Sequence, residues 1–516
     1  MKPIRLIAGF LTVGLWTLVS RVAGFARDIL MAAYLGAGPV AEAFLIAFSL
    51  PNLFRRFFAE GAFNMAFVPM FAKKYEAGED AEGFARDAYW GMAGILILFT
   101  LIGTLAMPLL VWAMASGFAG DERFDLAVLF GRIAFPYILI ISLTALLSGM
   151  LNAMGRFMAT AAAPVLLNLT FIAAIWAAGT AGWDVGLALA WAVPLGGLAQ
   201  FVVVWWALRR LGVRMPFAWP RLTPDLRRLA IIAAPAMLAG GVVQINLIVG
   251  RQVASFTEGA VAWLSYADRL YQLPLGVVGI AIGVVLLPDL SRRLRSDDID
   301  GGRHSFNRAT EFALALTLPA AVALAVLSVP LISVLFERGA FGATDTVNTA
   351  TALAIYGLGL PAFVLQKVLQ PLFYAREDTR RPFNYALVSL LVNAAIAIGL
   401  MPVIGFAAAA WGTTLAAWAM VAQLWLGSRG MGLAARLDAR FRDRIWRIVL
   451  ASAVMGVACW GTAAFLGGAL ETAGLRTLAL AALVAVGVVV YFGFGALIGA
   501  FRIAEFRQLL RRRPAG

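Results

Sequence analysis

The sequence predicts an all-α polytopic membrane protein with about 14 transmembrane helices. Three observations predict it. Of the 516 residues, 62% are hydrophobic and 14% charged, with a mean hydropathy of +0.86. An average soluble domain is nearer half apolar and a quarter charged. Long apolar runs recur along the whole chain, and a bilayer core about 30 Å thick needs roughly 20 such residues per helix. The basic residues, finally, fall mostly on one side of the predicted spans.

Apolar runs bounded by charge or Gly/Pro clusters place spans at 6–34, 41–72, 88–116, 126–152, 157–179, 184–208, 229–250, 259–290, 311–336, 346–374, 383–402, 405–427, 448–468 and 477–501. Lys2 and Arg5 precede the first run, but no small-x-small cleavage pattern follows. It reads as a retained helix and not a signal peptide. With the N-terminus cytoplasmic, 31 of the 42 Lys and Arg fall in the tails and inner loops, 4 in the outer loops and 7 inside spans. This bias puts both termini in the cytoplasm. It also removes the nucleic-acid reading of the +14 net charge. Clusters such as Arg209-Arg210, Arg292-Arg293 and Arg511-Arg512-Arg513 flank helix ends, where they set topology and meet anionic phospholipids.

Composition excludes several functions. One cysteine, Cys459, allows no internal disulfide, and one histidine, His304, in a polar stretch, supplies neither a histidine metal site nor a catalytic triad. None of the four lysines follows a glycine, so no phosphate-cradling ATPase loop exists. No enzyme, metal or cofactor is expected. Energy would come from an unspecified coupling ion or from the membrane potential.

The two halves repeat at an offset near 220 residues. Pro136 and Asn168 answer to Pro361 and Asn393; "FVPMFAKKY" answers to "LLPDLSRRL"; Trp191 and Gln200 answer to Trp411 and Gln423. Six helices separate the copies, so the repeats run parallel, as in alternating-access transporters built of two bundles around a central cavity. The predicted division is 1–215 (helices 1–6), 216–435 (helices 7–12) and 436–516 (helices 13–14 and a basic tail). A membrane enzyme on a duplicated scaffold finds no catalytic constellation to support it.

The seven basic residues inside spans are Arg21, Arg27, Arg55, Arg56, Arg132, Arg269 and Lys367. Each arginine costs at least about 2.5–3.5 kcal/mol in hydrocarbon, so they call for a polar cavity or a partner. Arg21 and Asp28, seven apart, share a helix face, while Arg27 points about 120° away from Arg21. Gly24 between them permits a close helix approach. Arg56 and Glu60 stand at i, i+4 and can pair, leaving Arg55 on another face; Pro51 is placed to kink that helix. Glu42 reads equally as a gate carboxylate or an interface residue. Asp268 and Arg269 are adjacent and so point apart, and Gln272 precedes Pro274. Gly276, Gly279 and Gly283 suit tight helix packing. Arg132 and Lys367 are weaker candidates, and Glu337, Arg338 and His304 read as loop or rim. Unpaired positive charge in both halves favours an anionic ligand, because guanidinium forks match phosphate oxygens.

The segments "SRVAGFARD", "LPNLFRRFFAEGAFNMAFVPMF" and "YADRLYQLPLGVVGIAIGVVLLPDLS" resemble the signature stretches of the MurJ (MviN) lipid II flippases of the multidrug/oligosaccharidyl-lipid/polysaccharide exporter superfamily. The resemblance covers essentially the whole chain. It implies an inner-membrane flippase that carries the undecaprenyl-pyrophosphate-linked peptidoglycan precursor outward by alternating access, with lipid II as substrate and cell-wall synthesis proteins as candidate partners of a monomer. It places the family's cavity arginines on Arg21, Arg27, Arg55 and Arg269 and its acidic residue on Glu42. Asp28, Arg56, Glu60, Asp268 and Gln272 are then gate or supporting groups, Gln272 standing where the family often has a carboxylate. It also implies a groove for the lipid tail along helices 13 and 14. The alternatives are a flippase for another lipid-linked oligosaccharide and a multidrug exporter.

Overall fold

The computed structural model describes residues 3–56, 62–296, 298–472 and 474–501, and every regular element among them is helical. Two compact units divide the chain: Met1–Ala262 with Arg338–Gly342, and Trp263–Glu337 with Ala343–Gly516.

The first unit contains α1 (Pro3–Leu35), α2 (Pro39–Arg55), α3 (Ala62–Ala77), α4 (Ala81–Leu105), α5 (Met107–Met114), α6 (Glu122–Ala134), α7 (Tyr137–Ala153), α8 (Met158–Ala181), α9 (Val185–Arg210) and α10 (Pro224–Ala254). Local chemistry sets these ends. α1 stops at Gly36, whose φ of 61° is open to glycine at little cost, and Pro39 then sits at the start of α2, where its missing N–H is not needed. The carboxylates of Asp80 and Asp184 cap α4 and α9 by accepting from Gly83 N and Leu187 N, each at 2.7 Å.

The second unit contains α11 (Ala260–Arg295), whose first turn belongs to the first unit, then α12 (Ile299–Val326), α13 (Ser328–Phe336), α14 (Ala343–Tyr374), α15 (Arg380–Ile404), α16 (Ala407–Ser428), α17 (Ala439–Phe465), α18 (Gly467–Glu471) and α19 (Arg476–Leu497). The duplication is visible in how each unit packs internally. In the first, α8 and α7 pack on α9, and α4 on α7; in the second, α15 and α14 pack on α16, and α12 on α14. The last pair, α17 and α19, packs together and joins α12 through a cluster of Leu327, Met455, Cys459, Leu483 and Tyr491.

The helices follow the expected spans with local differences. Several spans are two helices end to end: α4 breaks before Pro108 and α12 before Pro330, where a proline at the start of the next helix suits a fresh N-terminus. Pro51 lies inside α2, which ends four residues later at Arg55. α12 begins at Ile299 and not near 311, because the Asp298 carboxylate accepts from Gly301 N at 2.9 Å and starts the helix early. His304 therefore sits exposed on α12 and not in a loop. The sequence boundary at 215 marks the duplication, whereas the packing boundary falls at Ala262, since α10 packs on α3, α4 and α5.

Nine helical stretches among the described residues are long and apolar enough to cross a membrane, including α8, α9, α14, α15 and α19. Large apolar side chains face outward on them: Ile95, Leu98, Leu101 and Leu105 on α4, and Leu391, Ile398 and Val403 on α15. Continuous apolar exposure of this extent suits lipid and not water. The chain is a multi-pass membrane protein.

Candidate functional site: arginines inside the helices

α1 carries Arg21, Arg27 and Asp28 in an otherwise apolar run. Arg27 is buried, 9% exposed, and its Nε and Nη2 donate to Asp28 Oδ1 at 3.0 and 2.7 Å. Its Nη1 donates to Asn168 Oδ1 of α8 at 3.1 Å, and its guanidinium lies 5.3 Å from the centre of the Phe171 ring. Asn168 in turn donates from Nδ2 to the carbonyl of Ser20 at 3.0 Å, and the Cα of Gly24 faces it. The face that Asp28 shares with Arg21 does not decide its partner. Seven residues span about 10 Å of helix, beyond the reach of one ion pair, while the long Arg27 side chain curls back onto its neighbour. Arg27 is thus compensated, contrary to the expectation of an unpaired cation. Arg21 is exposed and forms no ion pair among the described residues.

On α2, Arg55 is half-buried and Arg56 exposed. Arg56 Nη1 donates to the buried Gln244 Oε1 of α10 at 3.3 Å. Glu60, its expected partner, lies outside the described residues. The aromatic side chains near Arg55 pack among themselves, Phe54 lying 4.9 Å from Phe99 and 6.0 Å from Phe135, ring centre to ring centre.

Glu42 is fully buried (0% exposed) in α2 and holds a specific cation, so the interface reading falls away. Its Oε2 accepts from Arg123 Nη1 at 3.0 Å and its Oε1 from the Val261 amide at 3.0 Å. Arg123, 5% exposed at the start of α6, also donates from Nε to Asp121 Oδ2 at 2.6 Å. The Asp121 carboxyl is held below the usual aspartate range by the backbone N–H of Arg123, which burial opposes, and by the Arg123 guanidinium.

In the second unit, Arg269 is exposed on α11, and Asp268 beside it accepts from Gln272 Nε2. Gly279 has no side chain where Lys367 of α14 lies across α11. Arg132 is exposed in the last turn of α6. The first unit therefore holds Arg21, Arg27, Arg55 and Glu42, and the second holds Arg269, Asp268 and Gln272.

Sequence reasoning missed Arg123, which it counted only as an outer-loop charge, and Asn168, which it used only to align the repeats. It also missed a second buried cluster, in which Glu311 of α12 accepts from Arg444 of α17 at 2.7 Å. For Asn168 a signal existed: an asparagine inside a span needs partners, and its counterpart Asn393 is also fully buried.

Fold and site together define a polytopic helical membrane protein with cations set inside its helices. The same fold occurs in an inward-facing MATE family multidrug transporter of the MOP superfamily, at TM-score 0.67 and 15% identity over 81% of this chain and 95% of that one. The sequence profile described as "Lipid II flippase MurJ" matches residues 31–485. A chain named probable lipid II flippase MurJ from Rhizobium tropici is 46% identical over 99% of this chain and 98% of its own length. A solved lipid II flippase MurJ in an inward closed conformation covers 97% of this chain and 100% of its own at TM-score 0.80 and 25% identity. The chain belongs to the MurJ family of lipid II flippases.

Proposed function

We propose that this protein moves lipid II from the inner to the outer leaflet of a bacterial cytoplasmic membrane. The observation that carries this reading is the end-to-end match to chains of that name. The substrate head carries a diphosphate, and Arg21, Arg27, Arg55 and Arg269 are the cations proposed to meet it. Arg21 fits best, since its donors are exposed and unspent. Arg27 enters as a pair with Asp28 and Asn168, which orient it. Alternating access then exposes the bound head first to one side and then to the other, while the polyprenyl tail stays in lipid beside α17 and α19.

Both termini lie in the cytoplasm in this reading, with the basic inner loops against anionic phospholipid headgroups. The protein works as a monomer, alongside cell-wall synthesis proteins. A potential negative inside favours outward movement of negative charge by about 2.3 kcal/mol per charge per 100 mV, enough to drive the step or reset the emptied cations. A coupled ion is the other source of drive.

Depletion of the protein tests the function. Lipid II is expected to accumulate on the cytoplasmic face, out of reach of an externally added lipid II-cleaving enzyme, and cells are expected to lyse. Unchanged outward exposure of lipid II after depletion overturns the assignment. Accumulation of a different lipid-linked glycan would assign the protein to that precursor instead.

A further inference from the structure

The connection between α16 and α17, residues 429–438, is held by its backbone. Arg376 Nη2 donates to the Met431 carbonyl at 3.0 Å, and Arg303 donates from Nε and Nη2 to the carbonyls of Arg436 and Leu437 at 3.2 and 3.1 Å. The buried Asn307 side chain donates to the Arg436 carbonyl and accepts from the Asp438 amide, both at 2.9 Å. These bonds fix the path of the loop, so its side chains project from set positions.

Loop and helix ends enclose a cavity of about 420 Å³ whose wall includes Trp425, Arg429, Arg436 and Arg442. No carboxylate is among the described residues that line it. The acids nearest in sequence are engaged elsewhere: Asp438 holds Arg308 and the Phe441 amide, and Asp443 holds Arg447 at 2.9 Å. Other arginines of this region bind loop carbonyls (Arg303, Arg376) or carboxylates (Arg308, Arg440, Arg444). Arg429, Arg436 and Arg442 are exposed, and their side chains make no hydrogen bond or ion pair among the described residues. The arginines here that lack a protein partner are thus the three that line one cavity. Three like charges around one space repel each other unless an anion lies between them.

Apolar surface leads away from this cavity. Arg442, Trp446 and Val449 stand at i, i+4 and i+7 on one face of α17, all exposed, and Leu426 beside Trp425 is exposed on α16. A basic cluster at a helix end, followed by an aromatic and then aliphatic side chains, fits an amphiphile with its anionic head in the cavity and its chains along the helix.

We propose that this cavity binds the phosphate of an anionic phospholipid through Arg429, Arg436 and Arg442, residues other than those proposed to meet the transported headgroup. Guanidinium forks match phosphate oxygens, and the apolar strip on α17 favours a lipid over a soluble phosphate. The inference rests on the phospholipid contact proposed above and gives it a site. Its readouts require neither lipid II nor flux, so its failure leaves the depletion test of transport untouched.

The test places the full chain in phosphatidylcholine nanodiscs, with or without phosphatidylglycerol, and follows arginine modification by phenylglyoxal residue by residue by mass spectrometry. Phosphatidylglycerol is expected to slow modification of Arg429, Arg436 and Arg442 about tenfold, the order of one charge-assisted hydrogen bond. Arg209, Arg210 and Arg214, exposed at and beyond the end of α9, are expected to change far less. No slowing at the cavity, or equal slowing at both sets, overturns the proposal. Inorganic phosphate added to phosphatidylcholine discs separates the sources: protection equal to that given by the lipid assigns the cavity to a soluble phosphate and overturns the lipid site. Arg436→Gln/Arg442→Gln removes two side chains that bond nothing in the protein. It is expected to weaken retention of phosphatidylglycerol about tenfold in native mass spectrometry, while Arg209→Gln/Arg210→Gln leaves it unchanged. Retention that is unaltered, or lowered equally by both variants, overturns the proposal as well.

Discussion

α1 and α12 each bury charge in an apolar helix, and they spend it differently. On α12, Glu311 is shared by Arg444 at 2.7 Å, Arg440 at 3.4 Å and Arg308, while Asp438 takes the second donor of Arg308. All three guanidinium groups are engaged by protein carboxylates, and the cluster ties α17, with its partner α19, to α12. On α1 one carboxylate faces two arginines. Arg27 takes it, and Arg21 keeps its donors exposed. The residue type is the same. Supply of carboxylate and burial separate the arginines that anchor the fold from Arg21, which makes no ion pair among the described residues.

The comparison is tested most severely at Glu311. Glu311→Ala removes the carboxylate to which buried Arg444 donates at 2.7 Å, and loss of one member of a buried pair costs about 3–5 kcal/mol. A large fall in thermal unfolding temperature is expected, with α17 and α19 exchanging amides first; a stable variant would show that the cluster anchors nothing. Next comes Arg27→Gln, which removes the two hydrogen bonds Arg27 gives Asp28 and is expected to cost about 1.5–3 kcal/mol of stability, the range for a hydrogen bond to a charged group. Arg27→Gln/Asp28→Asn removes both charges and is expected to recover that stability without recovering flux. Full recovery of flux would reduce the pair to packing.

Arg21→Gln sharpens the contrast from the other side. The exposed side chain predicts a stability change within about 0.5 kcal/mol. Loss of a charge-assisted contact to the diphosphate predicts roughly 10- to 100-fold weaker headgroup binding. Binding of lipid II to the purified variant checks it, and unaltered affinity would remove Arg21 from the site. The smallest effect concerns pH. Asp438 lies in the loop before α17; burial opposes its ionisation, but the Phe441 amide at 2.7 Å and the Arg308 guanidinium outweigh this and hold its carboxyl below the usual range. The folded chain then binds that proton less readily than the unfolded chain. The contribution is complete above the ordinary aspartate range and disappears as pH falls through the depressed folded value. Unfolding temperature measured at descending pH should fall less steeply for Asp438→Asn, which still caps the helix but carries no charge.

Much of this was legible in the sequence and some was not, for reasons that particular residues show. The seven cations inside the apolar runs were picked out because charge in such a run is visible one residue at a time. That Arg21 and Arg27 would part company was not visible, because helix-face geometry puts Asp28 with the wrong one. Arg123 stayed hidden since a basic residue at a helix start is ordinary on its own. Only its contact with a carboxylate 81 positions earlier makes it informative.

The sequence by itself determined the class: an all-helical, multi-pass, duplicated chain with cations inside its helices. Those features are sums along the chain, of transfer energy per residue and charge per loop, and they need no knowledge of neighbours. Tertiary structure alone decided the partners. Arg27 meets Asn168 across 141 residues, and Glu311 meets Arg444 across 133. A buried charge is governed by what lies within a few ångströms of it, and that distance is fixed by how helices pack, not by their order in the chain.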